Sequence, residues 1–88
     1  MTMEDRIRAK LSAEFAPAAL SIVNESHLHA GHHGSPDTEA SHFRVHIVSA
    51  RFAGASRIER HRLVNKALAA ELKDGIHALA IKAEATER

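Results

Sequence analysis

The chain has no cysteine in its 88 residues, which excludes a disulfide framework, a thiol nucleophile and a thiolate metal site built by this chain alone. Tryptophan and tyrosine are also absent and phenylalanine occurs three times, so the aromatic platforms on which single-stranded bases stack are nearly missing. Seventeen of the apolar residues are alanine. Large core side chains are therefore scarce, and a chain this short buries only roughly 60–65% of its unfolded surface. That favours a binding module or small regulator over an enzyme with a deep, desolvated pocket. Excess charge of one sign is missing too: twelve Lys and Arg stand against eleven Asp and Glu, too even for a polybasic arm or an acidic tail. No apolar run approaches the length of about 20 residues needed to span a bilayer. Met1-Thr2-Met3-Glu4-Asp5 has neither a signal peptide's apolar stretch nor an Arg- and Ser-rich transit pattern. These absences predict one domain over residues 1–88, cytoplasmic, with no membrane partner and no catalytic activity.

Histidine is what the chain has in plenty: eight residues, four of them at His27, His29, His32 and His33. Around them the hydrophobic pattern predicts a simple order of elements. Ile7, Leu11 and Phe15 recur at four-residue steps and mark a helix from about Met3 to Phe15. Thr2 with Asp5 opens it as a capping box, and Pro17 ends it by biasing Ala16 away from helical geometry. Leu20 to Val23 reads as a short strand. His42 to Ser49 alternates, with Phe43, Val45 and Ile47 on one face, as a half-buried strand does. Between the two strands, residues from about 26 to 41 form a polar loop whose length marks a functional or disordered connection.

Ser56-Arg57-Ile58-Glu59 is a second capping box. The helix it opens should run to about Leu72 and close at Lys73-Asp74-Gly75, with Gly75 as a left-handed C-terminal cap. His77, Leu79 and Ile81 then alternate with Ala78, Ala80 and Lys82 as a third strand, and the polar tail from about 84 to 88 should fray. The first two strands pair as an antiparallel hairpin, and the second and third pair in parallel through a right-handed crossover. The predicted fold is α+β, in the order α-β-β-α-β, a three-stranded mixed sheet with the helices packed on one face.

Three constellations could carry chemistry. The spacing H-x-H-x2-H-H from His27 to His33 places imidazoles, the commonest metal-ligand side chains, in one loop. A solvated loop that picks up zinc or nickel weakly has the same composition, since a structural zinc site needs four well-fixed ligands. His77, just after a glycine at the head of the third strand, reads either as a partly buried histidine bonded to a carbonyl or as a ligand on a rigid element. Two histidines without cysteine make an incomplete iron–sulfur site, so any thiolates would come from another molecule. The second helix carries Arg57, Arg60, His61, Arg62 and Lys66, which suit either a phosphate backbone or a solvated face with arginines paired to Glu59 or Glu71. No G-x-S-x-G elbow or glycine-rich phosphate loop is present.

Asn24-Glu25-Ser26-His27-x-His29, Ser41-His42-Phe43-x-Val45-x-Ile47-Val48-Ser49 and Arg51-Phe52-x-Gly54 together resemble the BolA-like family. So do Arg60-His61-Arg62-Leu63-Val64, Glu71-Leu72 and Ile76-His77-Ala78-Leu79, the whole set running in order from about Ile7 to Ala83. The resemblance implies a fold similar to class II KH domains. It also implies a partner, a monothiol glutaredoxin, with which such proteins share a [2Fe-2S] cluster held on the partner's side by a cysteine and glutathione. The two ligands expected of this chain are the last-strand histidine, which matches His77, and a loop residue, for which His29 is the choice and His27 the alternative. Alone, the chain should carry no cofactor and be a monomer or weak homodimer. Some family members resemble stress-linked transcriptional regulators, which makes DNA the second candidate partner, met by the basic second helix. The KH-type G-x-x-G loop that clamps nucleotides is missing, because Gly54-Ala55-Ser56-Arg57 lacks the second glycine.

Overall fold

Thr2 fixes where the first helix begins. Its hydroxyl accepts the Asp5 N–H at 3.0 Å while the Asp5 carboxylate accepts the Thr2 N–H at 3.2 Å, satisfying two donors that a helix start otherwise leaves open. The hydrogen bond from the Thr2 backbone leads in holding the Asp5 carboxyl below its ordinary value. The computed structural model describes residues 2–25 and 42–86. Its elements are α1 (Met3–Phe15), β1 (Ala19–Asn24), β2 (His42–Val48), a 3-10 turn at Ala50–Phe52, α2 (Arg57–Ala67), α3 (Ala69–Asp74) and β3 (Ala78–Glu84). Ala16, pushed out of the helical region by the following Pro17, caps α1 in the left-handed region with φ 42° and ψ 57°.

The sheet has the predicted topology, with β2 in the centre, antiparallel to β1 and parallel to β3. Register sets its two faces: Ile22 lies opposite Val45, Phe43 opposite Leu79, Val45 opposite Ile81, and Ile47 opposite Ala83. These side chains share the face that meets Ile7, Leu11 and Phe15 of α1, Val64 of α2, Leu68 and Ile76. Phe52 of the 3-10 turn completes the core against Phe15, ring centroids 5.0 Å apart.

Several residues of the motifs that carry the resemblance are spent on this packing. Buried Ser49 donates its hydroxyl to the Phe15 carbonyl at 2.7 Å and accepts the Arg51 N–H at 3.1 Å. Arg51 donates to the Glu14 carbonyl at 2.7 Å and lies over the Phe15 ring, so the C-terminal end of α1 is clamped from the segment after β2. Gly54 turns the chain with φ +79°, a region costing other residues roughly 1–2 kcal/mol. A Cβ there would meet nothing within 4 Å. Gly54→Ala is therefore expected to lose about 1–2 kcal/mol from backbone strain alone, and Gly54→Asn less. Denaturant midpoints of the two variants measure the difference.

Four local expectations are corrected. The second helix does not run unbroken to Leu72: it ends at Ala67, and α3 restarts after Leu68. The break lets Leu68 fill the core while Glu71, 2% exposed, faces α1 and pairs with Arg6 at 3.2 Å and Lys10 at 3.3 Å. Gly75 is not left-handed; its φ of 173° is extended, and the N–H groups of Gly75 and Ile76 both close on the Glu71 carbonyl. The third strand begins at Ala78, one residue past His77. The tail expected to fray from about 84 to 88 is still sheet at Glu84, which ends β3 and whose carbonyl accepts the Ser49 N–H at 2.9 Å, and Ala85 packs on the core, while residues 87 and 88 lie outside the described residues.

Candidate functional site

At one end of the sheet three chain segments meet. β1 leaves the sheet at Glu25, whose N–H donates to the His42 carbonyl at 2.8 Å. Its carboxylate takes the Arg44 Nε–H at the same distance. His42 begins β2 and lies opposite Ala78, so the residue just before Ala78, His77, stands at this same end. Glu25 and His42, the described residues that flank 26–41, therefore stand at the same end of the sheet as His77. The expected loop ligands His29 and His27, like His32 and His33 and the expected 26–41 loop itself, lie outside the described residues.

His77 is exposed, which removes the reading of a partly buried histidine. Ile76 on one side of it is buried and Ala78 on the other is hydrogen-bonded into the ladder. The result is an accessible imidazole on an anchored backbone, a geometry that suits a metal ligand shared with another molecule. The His42 ring stands edge-on to it, centroids 6.4 Å apart at 73°. Motif reading placed His42 in Ser41-His42-Phe43 without a role; only the parallel register brings it to His77. Among the described residues no three His, Asp or Glu side chains converge as a metal site.

The basic second helix divides into two kinds of cation. Arg60 is turned inward: its Nε–H donates to the Ala55 carbonyl at 3.0 Å and its terminal nitrogen to the Ala83 carbonyl at 3.1 Å, tying α2 to the edge strand. The side chains of Arg57, His61, Arg62 and Lys66 make no ion pair or hydrogen bond with another described residue. The alternative of arginines paired to Glu59 or Glu71 is not what forms, because Glu59 closes the Ser56 capping box and Glu71 faces α1. Arg57, Arg60 and His61 line an open cavity of about 580 Å³ with Arg44 and Lys82.

Glu84 shares that cavity and is held by His46, Nε2 to Oε1 2.9 Å. This hydrogen bond, ahead of the nearby cations, keeps the Glu84 carboxyl below its ordinary value of 4.5. A folded value below the unfolded one means a contribution to stability that is present above the ordinary value and lost as pH falls through the lowered one. Glu84→Gln should accordingly show a smaller loss of stability than the parent on acidification below about pH 4.5, measured by denaturant titrations across that range.

The family described as BolA-like protein matches residues 11–88. A curated relative from Vibrio cholerae, named DNA-binding transcriptional regulator BolA, is 49% identical over 85 residues, covering 97% of this chain and 76% of that protein. Among solved structures, BolA1 from Arabidopsis thaliana is 42% identical with a TM-score of 0.84, covering 93% of this chain and 89% of its own. The BolA domain of SufE1 from the same plant is also 42% identical, with a TM-score of 0.83 and coverage of 97% and 93%. No catalytic family is indicated by these matches, and no helix among the described residues is long and apolar enough to cross a membrane.

Proposed function

This chain belongs to the BolA-like family, and from that premise we propose that it is a cytoplasmic, non-enzymatic adaptor that binds a monothiol glutaredoxin and shares a [2Fe-2S] cluster with it in iron–sulfur assembly and iron regulation. The observation that carries the reading is His77, an exposed imidazole on anchored backbone, at the end of the sheet where Glu25 and His42, the residues flanking the His-rich 26–41 segment, also stand. With no cysteine in the chain, the donors it can offer there are imidazoles, and His77 with His29, or His27 in its place, supplies two.

When bound, the cluster supplies a transferable iron–sulfur unit whose potential is raised by imidazole in place of thiolate. The chain's part is to bind and to orient. The Glu25–His42 backbone bond and the Glu25–Arg44 ion pair fix both ends of the ligand-bearing segment, and the β2–β3 ladder fixes the backbone beside His77. The test is gel filtration with a titration into cluster-loaded monothiol glutaredoxin, followed by visible absorption and circular dichroism. A complex and a saturable one-to-one change are expected. Absence of both rejects the reading.

A second reading, DNA binding in transcriptional regulation, is favoured by one observation: Arg57, Arg62 and Lys66 carry no counter-ion among the described residues. The name of the Vibrio cholerae relative agrees with it. If these three side chains neutralise three phosphates, affinity for duplex DNA should fall about forty-fold between 50 and 200 mM salt, and each alanine substitution should reduce the log–log slope by about one. Fluorescence anisotropy over a salt series measures both, and a slope unaffected by all three substitutions rejects contact by this helix.

A further inference from the structure

We propose that His42 is a positioning residue for His77, its ring packed edge-on against the His77 imidazole so that the exposed ligand is held in the orientation in which it meets the shared cluster. The inference rests on the cluster-sharing reading and adds to it the residue that orders the ligand.

The His77 backbone is fixed on both sides, by buried Ile76 and by Ala78 in the ladder, but its side chain is exposed and turns about two bonds. A ligand free to turn loses that freedom on binding, and affinity is gained when the loss has already been taken in the free protein. Among the described residues the His77 ring has one ring contact, with His42, at 6.4 Å and 73°. This is the edge-to-face arrangement that aromatic rings prefer within 4.5–7 Å.

His42 is suited to the task because its backbone is anchored in the sheet. It is the first residue of the central strand, half-buried, opposite Ala78, with its carbonyl taken by the Glu25 N–H. Outer partners of this kind commonly orient ligating histidines and their loss weakens metal binding. A ring contact of this geometry corresponds to roughly a two- to twelvefold change in affinity.

The test compares His42→Ala with His42→Phe, which keeps an aromatic ring at the position. In the free protein, nuclear Overhauser contacts between residues 42 and 77 and the side-chain couplings of His77 report its orientation. With cluster-loaded monothiol glutaredoxin, the titration midpoint by visible circular dichroism reports affinity. His42→Ala should set the His77 side chain free among rotamers and weaken the midpoint about two- to twelvefold, and His42→Phe should restore both. The proposal is overturned if His42→Ala leaves couplings and midpoint unchanged, or if His42→Phe fails as badly as His42→Ala. His77→Ala separates the two levels. If it abolishes the titration while His42→Ala does nothing, only the positioning role falls; if His77→Ala itself titrates like the parent, the cluster-sharing reading falls and the positioning role with it.

Discussion

Replacing His77 with alanine is expected to abolish the saturable spectral change on titration into cluster-loaded monothiol glutaredoxin, while leaving the fold's stability within about 0.5 kcal/mol of the parent. The two halves of this expectation have separate causes. His77 lies outside the β3 ladder with its side chain exposed, so no core contact or backbone bond goes with its ring. Its imidazole is nevertheless the proposed cluster ligand, and the chain has no cysteine to take over. His46→Ala is the matched control, since among the described residues that histidine pairs with Glu84, on the outer face of the sheet; it should titrate like the parent. Among the loop histidines, His29→Ala should reproduce the loss and His27→Ala should not. Visible circular dichroism and denaturant midpoints on the five proteins decide the matter.

The largest effect on stability is expected at Phe52. Its side chain is fully buried and packs on Phe15, over whose ring Arg51 also lies and whose carbonyl Ser49 holds. Phe52→Ala empties the joint between the C-terminal end of α1 and the segment after β2, and truncations of buried Phe cost about 3–5 kcal/mol. For a chain of this size that lowers the thermal midpoint by more than about 12 °C. Calorimetry checks it, and a drop of only a few degrees would mean the core closes over the gap. Cluster sharing by the fraction still folded should be unaltered, because Phe52 does not reach the His77 end of the sheet.

Much of this architecture was legible in the sequence because its signals are local. Both capping boxes, the Pro17 stop and the alternation of Phe43, Val45 and Ile47 act through neighbours a few residues away, and each formed as the pattern predicted. What was not legible depends on distant partners. The break at Leu68 answers to Arg6 and Lys10, the partners of buried Glu71 on another helix. Arg60 looks like Arg57 and Arg62 along the chain, yet it alone turns inward, toward carbonyls of Ala55 and Ala83. The candidate site shows the same divide. His77 could be singled out from its motif, but its exposure depends on where the parallel ladder starts. The approach of His42 depends on a register between strands that are far apart in the chain.

The most direct measurement is pulsed electron paramagnetic resonance of the reduced, cluster-bearing complex, with histidine in this chain alone labelled with nitrogen-15. Two sets of strong nitrogen-15 couplings from directly bound imidazoles are expected, replaced by nitrogen-14 couplings when this chain is left unlabelled. A complex whose cluster shows no histidine nitrogen from this chain would contradict the cluster-sharing reading.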